Sequence, residues 1–417
     1  MSTRAREIRQ GGVRLLILLS ASLLFATTTL AAPDEEALGK AEGYPICPSL
    51  VRAETRCLVG LVSHFDEIFP ALKVARGARV RLLKRAAAEP ATQYTYQSRK
   101  AGLDDYLART RTTGLLILKD DTIFAERYQY DRTADHRMTS YSMAKTVVAM
   151  LVGVALSEGK IQSLDDRADK YVTELKGTAY GETPIRHLLS MSSGVKFTEV
   201  YSGSDDVATL ARLSLLGESA GGAATVRPFS TRERAPGEQF HYSSAETQVL
   251  GLVLRAATGK PLAEYLSEKI WQPLGAEADA SWNIDKGGYE VAFMGVNATL
   301  RDWARLGMLL AHDGTLDGRP IIPAGWVRAA STPPAKQFEP GRTNSFLGYG
   351  YQTWIVPGKE RQFMLRGLRG QAVLVDPATK LVMVHTAVRD VGDRGLMELF
   401  ALWDGVVESS RKLNISP

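Results

Sequence analysis

Ser142 and Lys145 stand three residues apart in Tyr141-Ser142-Met143-Ala144-Lys145-Thr146, directly ahead of the apolar run Val147 to Leu156. If that run is helical, its first turn puts both side chains on one face. A serine hydroxyl is a poor nucleophile until a neighbouring base takes its proton, and a desolvated lysine amine is such a base. The start of a helix adds unpaired N–H groups and the positive end of the dipole, both of which favour developing negative charge. Segment 147–156 has no polar stripe, which predicts a helix buried all round; it is too short for a membrane span. Ser-x-x-Lys recurs at Ser193-Gly194-Val195-Lys196 and at Ser409-Ser410-Arg411-Lys412. The first holds a helix-breaking glycine in a polar turn, and the second lies on the charged end of the last helix. Only Lys145 falls between a helix start and an apolar core.

The elements that must position this pair follow from pattern. Gly114 to Leu118 and Ile123 to Tyr128, joined by Lys119-Asp120-Asp121, predict a hairpin. The Ser142 helix should end near Gly159. Residues 164–310 are expected to be mostly helical: a short helix at Arg186 to Ser193 stopped at Gly194, an apolar helix from Thr247 to Thr258 capped by Gly259, and a capping box at Thr299-Leu300-Arg301-Asp302 opening a helix to His312. Strands return at Gly348 to Trp354, Gln371 to Val375 and Leu381 to Val388, and a final amphipathic helix runs from about Gly395 to Leu413. Strands on both sides of a helical block imply an α/β (α+β) sheet domain with an inserted helical lobe.

With 417 residues, 45% hydrophobic and 23% charged, the chain has ample material for a core. Residues 1–31 combine four arginines against Glu7, an apolar stretch from about Leu15 to Leu30, and small residues at Thr29 and Ala31. They are expected to be a signal peptide cleaved after Ala31, which places the protein in the periplasm or outside the cell with no stable membrane span after cleavage. Without the leader's +3 the formal charge of +5 falls to +2, so charge gives no argument for nucleic acid. In an oxidising compartment Cys47 and Cys57 are placed to close a short disulfide loop. Residues 32–100 form an N-terminal extension with little clear period, and the basic run Arg76 to Arg85 suits a solvated face.

Other chemistries lack their residues. There is no Gly-x-Ser-x-Gly elbow. Gly153 to Lys160 is one residue too long for a phosphate loop and has Ile161 where serine or threonine is needed. His64, His136, His187, His241, His312 and His385 are scattered singly, which suits structural or surface roles and implies no metal. No cofactor is expected.

A second run, Pro236-Gly237-Glu238-Gln239-Phe240-His241-Tyr242-Ser243-Ser244, leads into Leu250-Gly251, Thr258-Gly259 and Pro273-Leu274-Gly275. With Ser142 to Lys145, Leu189 to Gly194, Trp271 to Gly275, Arg301-Asp302, and Gly367 to Gln371 before Val375-Asp376-Pro377, it resembles the penicillin-recognising serine hydrolases. The likeness is to the branch of class C β-lactamases and related esterases, most of all to 6-aminohexanoate-dimer hydrolase-like proteins. It spans about residues 100–405 and implies an antiparallel sheet flanked by helices with an inserted all-helical lobe, here residues 101–417. It also implies roles: Ser142 as acylated nucleophile, Lys145 as general base, Tyr242 as proton relay to the leaving group, and the N–H groups of Ser142 and Leu368 as the oxyanion hole.

One box departs from the pattern. Where β-lactamases and peptidases of this family carry Lys-Thr-Gly, this chain has Leu365-Arg366-Gly367. Leucine cannot hold a substrate carboxylate; Arg366 or Arg369 has the fork for it, in a different pose. Tyr201 with Asp205 and Asp206 either borders the pocket or forms an ordinary polar loop. The expected activity is cleavage of a small-molecule amide or ester through an acyl-enzyme. The alternatives are a β-lactamase or D-Ala-D-Ala peptidase, and an idle envelope protein that only binds its ligand.

Overall fold

A computed structural model of the chain describes residues 31–47, 54–393 and 395–413. All but the last residue of the expected signal peptide lies outside them. Residues 32–417 make one compact unit, and none of its described helices is long and apolar enough to cross a membrane.

Its centre is an eight-stranded sheet in the order Gly348–Tyr349, Trp354–Val356, Gln362–Arg366, Ala372–Asp376, Leu381–Ala387, Thr112–Lys119, Thr122–Tyr128 and Lys84–Arg85. Every pairing is antiparallel except the last, where Lys84–Arg85 runs parallel to the outer hairpin strand. Because side chains alternate across a strand, each central strand feeds two cores. Leu116, Leu118, Val373, Val375, Val382 and Val384 face the larger one, with Trp303 and the Ser142 helix. Leu115, Ile117, Leu374 and Met383 face the other, under Leu399, Leu402, Trp403 and Val406 of the last helix, Leu396–Leu413. The capping-box helix Leu300–Ala311 lies directly on the first face: a Cβ on Gly307 would sit 2.5 Å from Val382 and 2.9 Å from Val373. Thr299 accepts from Asp302 N–H at its start, as the sequence suggested.

Three expectations are corrected. The Gly348 to Trp354 strand is broken, because Gln352 adopts φ +52° and commits its backbone and amide to neighbours: its N–H goes to Leu189 O, its Nε2 to Leu188 O, and its carbonyl takes the Thr146 hydroxyl. The stretch 164–310 is not all helical. Ala280–Asn283 and Val296–Thr299 pair in a second antiparallel sheet with Arg137–Thr139 and Ala71–Val74. The extension 32–100 also carries regular structure. Ala71–Val74 and Lys84–Arg85 complete the two sheets, and the hairpin Gln93–Tyr96 and Arg99–Gly102 packs under the last helix. Cys47 and Cys57 are bridged.

Candidate active site

The helix Met143–Ser157 begins at Ser142, and its residues from Met143 to Ala155 are buried. The turn before it is held from both sides. Tyr141 takes φ +42°, an uncommon conformation for a bulky residue. Ser140 clamps to the second sheet, its N–H donating to Val296 O and its Oγ accepting from Val296 N–H. This fixes Ser142 at the mouth of a cleft of roughly 190 Å³ that opens to solvent, lined by Tyr141, Ser142, Glu199, Ser244, Phe293 and Leu368 among others.

Lys145 is 1% exposed. Its Nζ lies 3.0 Å from each of Ser142 Oγ, Ser244 Oγ and the Phe293 carbonyl, which accounts for all three ammonium hydrogens. Burial pushes its pKa down to about 8, against the opposing attraction of the Glu199 carboxylate. Near neutral pH the amine therefore loses its proton readily, and the free base then accepts the Ser142 hydroxyl hydrogen along the same 3.0 Å contact.

Tyr242 comes to the same point from the loop before the helix Ser244–Thr258. Its hydroxyl lies near Ser142, whose side chain partly offsets the rise in its pKa, and Lys145 Nζ sits 5.3 Å from its ring centroid. The ring stacks on Trp354 at 5.4 Å and meets Tyr349 edge-on. Burial, then the Glu199 charge, hold its pKa well above the ordinary value, so Tyr242 rests as a neutral phenol with a proton to give.

The third wall is the turn after the strand Gln362–Arg366. Gly367 abuts the nucleophile turn so closely that a Cβ would lie 2.2 Å from Ser140 O. Only glycine lets Leu368 and Ser142 share the cleft wall. None of the turn, loop and cap hydrogen bonds among the described residues uses the N–H of Ser142 or of Leu368, so both suit a pair of oxyanion donors.

Of the residues singled out in the sequence, Ser142, Lys145, Tyr242 and Leu368 meet here. Tyr201 lines the cleft, and its hydroxyl donates to Glu199 Oε1 at 2.8 Å. Asp205 lines it too, but its oxygens are spent accepting from Val200, Tyr201 and Ala208 N–H groups, so it holds Tyr201 in place. Asp206 takes Thr198 N–H. Arg369 borders the cleft in a φ +60° turn and donates to Arg389 O. Arg366 stands close enough for its charge to act on Tyr201 and Tyr242. Its guanidinium lies over the Trp354 ring at 5.5 Å and borders a separate hollow behind the turn. Leu365, in the anomalous third box, is fully buried.

Glu199 was missed. It takes Ser244 N–H at 2.8 Å and Ser244 Oγ–H at 2.9 Å, which continues the line from Lys145 to a partly exposed carboxylate. No spacing announces it; a lone acid in a polar loop gains meaning only once Ser244 faces it.

A sheet with this strand order, and a serine, lysine and tyrosine converging beside a glycine-backed turn, define a serine hydrolase fold. The chain belongs to the Beta-lactamase family, whose match covers residues 101–402. It is 30% identical to the 6-aminohexanoate-dimer hydrolase of Paenarthrobacter ureafaciens over 295 residues, 69% of this chain and 75% of that one. Two solved structures share the fold. One, from Bacillus anthracis and provisionally described as a 6-aminohexanoate-dimer hydrolase, is 23% identical over 87% of this chain and 95% of its own, with TM-score 0.75. The other, a family VIII carboxylesterase, is 17% identical over 72% and 93%, with TM-score 0.56.

Proposed function

We propose that the chain is an exported hydrolase that opens a small-molecule amide or ester through an acyl-enzyme on Ser142. The observation that carries this is the buried Lys145 amine, 3.0 Å from Ser142 Oγ with its pKa lowered to about 8. Lys145 takes the hydroxyl proton as Ser142 attacks the carbonyl, and the Ser142 and Leu368 N–H groups face the oxyanion. Tyr242, a neutral phenol beside Ser142, gives its proton to the departing amine or alcohol and recovers one from Lys145. Water, activated by the same pair, then releases the acyl group. The 6-aminohexanoate-dimer hydrolase relative supports a linear amide of an ω-amino acid as the first substrate to try. The leader's composition and the Cys47–Cys57 bridge support export. β-Lactam hydrolysis is the weaker reading, because buried Leu365 offers no carboxylate anchor where that chemistry keeps lysine.

A substrate panel tests this. Short nitrophenyl esters and ω-aminoacyl amides should be hydrolysed by the native mature protein and not by Ser142→Ala, with nitrocefin slow or inert. Rapid nitrocefin turnover with no ester or amide cleavage would overturn the substrate assignment.

The lysine also sets a pH dependence. Its working form is neutral, so kcat/KM should rise with pH through a midpoint near 8. The Glu199 charge favours the ammonium, so Glu199→Gln should move that midpoint to lower pH. A midpoint that stays fixed or rises in Glu199→Gln, in a folded sample, would show that Glu199 does not act on Lys145.

A further inference from the structure

His385 lies in the central strand Leu381–Ala387, between Ala372 and Leu115 on its neighbours, with no exposed surface. A histidine in the middle of a hydrophobic sheet must satisfy both ring nitrogens. Its Nδ1 lies 2.6 Å from the Gly370 carbonyl, its Nε2 3.1 Å from the Tyr106 hydroxyl and 3.0 Å from Thr112 Oγ1. A carbonyl only accepts, so Nδ1 carries the hydrogen. Burial and the nearby Arg389 cation keep the ring neutral, its pKa pushed down to about 3, so Nε2 is an acceptor. Tyr106 receives a hydrogen bond from Arg389 Nη2 and so directs its own proton to His385. The bonds run one way: Arg389 to Tyr106, Tyr106 to His385, His385 to the Gly370 carbonyl. Bonds aligned in this sense polarise one another, and the chain starts on a cation.

Gly370 closes the turn Leu368–Gly370 that carries the Leu368 N–H into the cleft. The turn is also tied by Gly367 N–H to Gln371 O, by Arg389 N–H to Arg369 O, by the Arg369 guanidinium to Arg389 O, and by the Gln371 amide, which bonds Leu368 O and both backbone groups of Ala387. The Gln371 amide anchors the far side of the turn to the end of the central strand, while His385 ties Gly370 itself to the Tyr106–Arg389 pair. We infer that His385 is a positioning residue for the reaction: through Gly370 it holds the oxyanion turn at the height Ser142 chemistry needs. This rests on the acyl-transfer reading of Ser142, but it makes a claim about the turn that is measurable without catalysis.

The test compares His385→Phe, which keeps a planar ring without the donor, with His385→Asn, whose amide nitrogen can take the place of Nδ1–H. Two readouts are taken on the full-length mature protein. The first is kinact and KI for labelling of Ser142 by a fluorophosphonate. The second is amide hydrogen exchange across Gly367–Gln371. Deleting an oxyanion donor costs about 10²–10³-fold; displacing one should cost less. His385→Phe is expected to lower kinact about 10–100-fold with KI within threefold, and to speed exchange at Gly367–Gln371 at least tenfold. His385→Asn should return both to within about fivefold of native. Tyr106→Phe, which removes the donor to Nε2 and leaves Arg389 Nη2 without that acceptor, should give an intermediate loss and carries the comparison if His385→Phe does not fold. Native exchange and native kinact in folded His385→Phe, or equal losses in the Phe and Asn variants, would overturn the assignment. If native protein does not label at all, the acyl-transfer reading fails, and the exchange data still decide whether His385 holds the turn.

Discussion

Replacing Lys145 by alanine should lower the rate of Ser142 acylation by roughly 10²–10⁴-fold, the range for a positioned general base. Among the described residues, the amine alone is bonded to both Ser142 Oγ and the Ser244–Glu199 line. Without it the hydroxyl keeps its proton, because the neighbouring Tyr242 phenol is held protonated. Alanine also orphans the Phe293 carbonyl, so loss of fold must be separated from loss of base. Lys145→Arg does that. A guanidinium retains positive charge and donors but does not give up its proton at accessible pH, so a base role predicts that arginine is as damaging as alanine. Steady-state and labelling rates beside circular dichroism check this. A folded Lys145→Arg within tenfold of native would assign Lys145 a purely electrostatic role.

Gly367→Ala should lower acylation by about 10²-fold with the hydroxyl–amine pair undisturbed. The methyl group would stand 2.2 Å from Ser140 O and 3.2 Å from Tyr141 Cβ, and neither can yield easily. Ser140 is clamped to Val296, and Tyr141 is already in a left-handed turn. The turn must retreat and take the Leu368 N–H with it, which approaches the loss of one oxyanion donor. The variant's reactivity toward a fluorophosphonate, with the pH midpoint near 8 retained, is the measurement. Unchanged reactivity would remove the Leu368 N–H from the site.

Much of this was legible because the signals are local. Ser142 and Lys145 are one helical turn apart, the Asp120-Asp121 hairpin is bounded by its turn, and Thr299 caps Asp302 three residues on. What escaped depends on distant neighbours. Ala280–Asn283 and Val296–Thr299 are buried on both faces and carry Ser281, Asn283 and Asn297, with the Asn297 amide donating to the other two across the second sheet. Each sequence does alternate apolar and polar residues, but over four positions only, the shortest pattern that can signal a strand. Gln352 breaks a promising strand for bonds to Leu188 and Leu189, more than 160 residues earlier. Arg366 was read as a carboxylate fork, and nothing local announces the Trp354 ring that its guanidinium lies over. Glu199 and His385 are single residues whose partners, Ser244 and Gly370, lie 45 and 15 positions away.

The central claim is that Ser142 is an activated nucleophile. Intact-mass measurement of the mature protein after exposure to a fluorophosphonate, with Ser142→Ala alongside, tests it most directly. One adduct on the native chain, absent from the variant and formed faster as pH rises toward 8, is the expected result. No adduct on either folded protein would contradict it, and the chain would then be a binder built on a hydrolase frame.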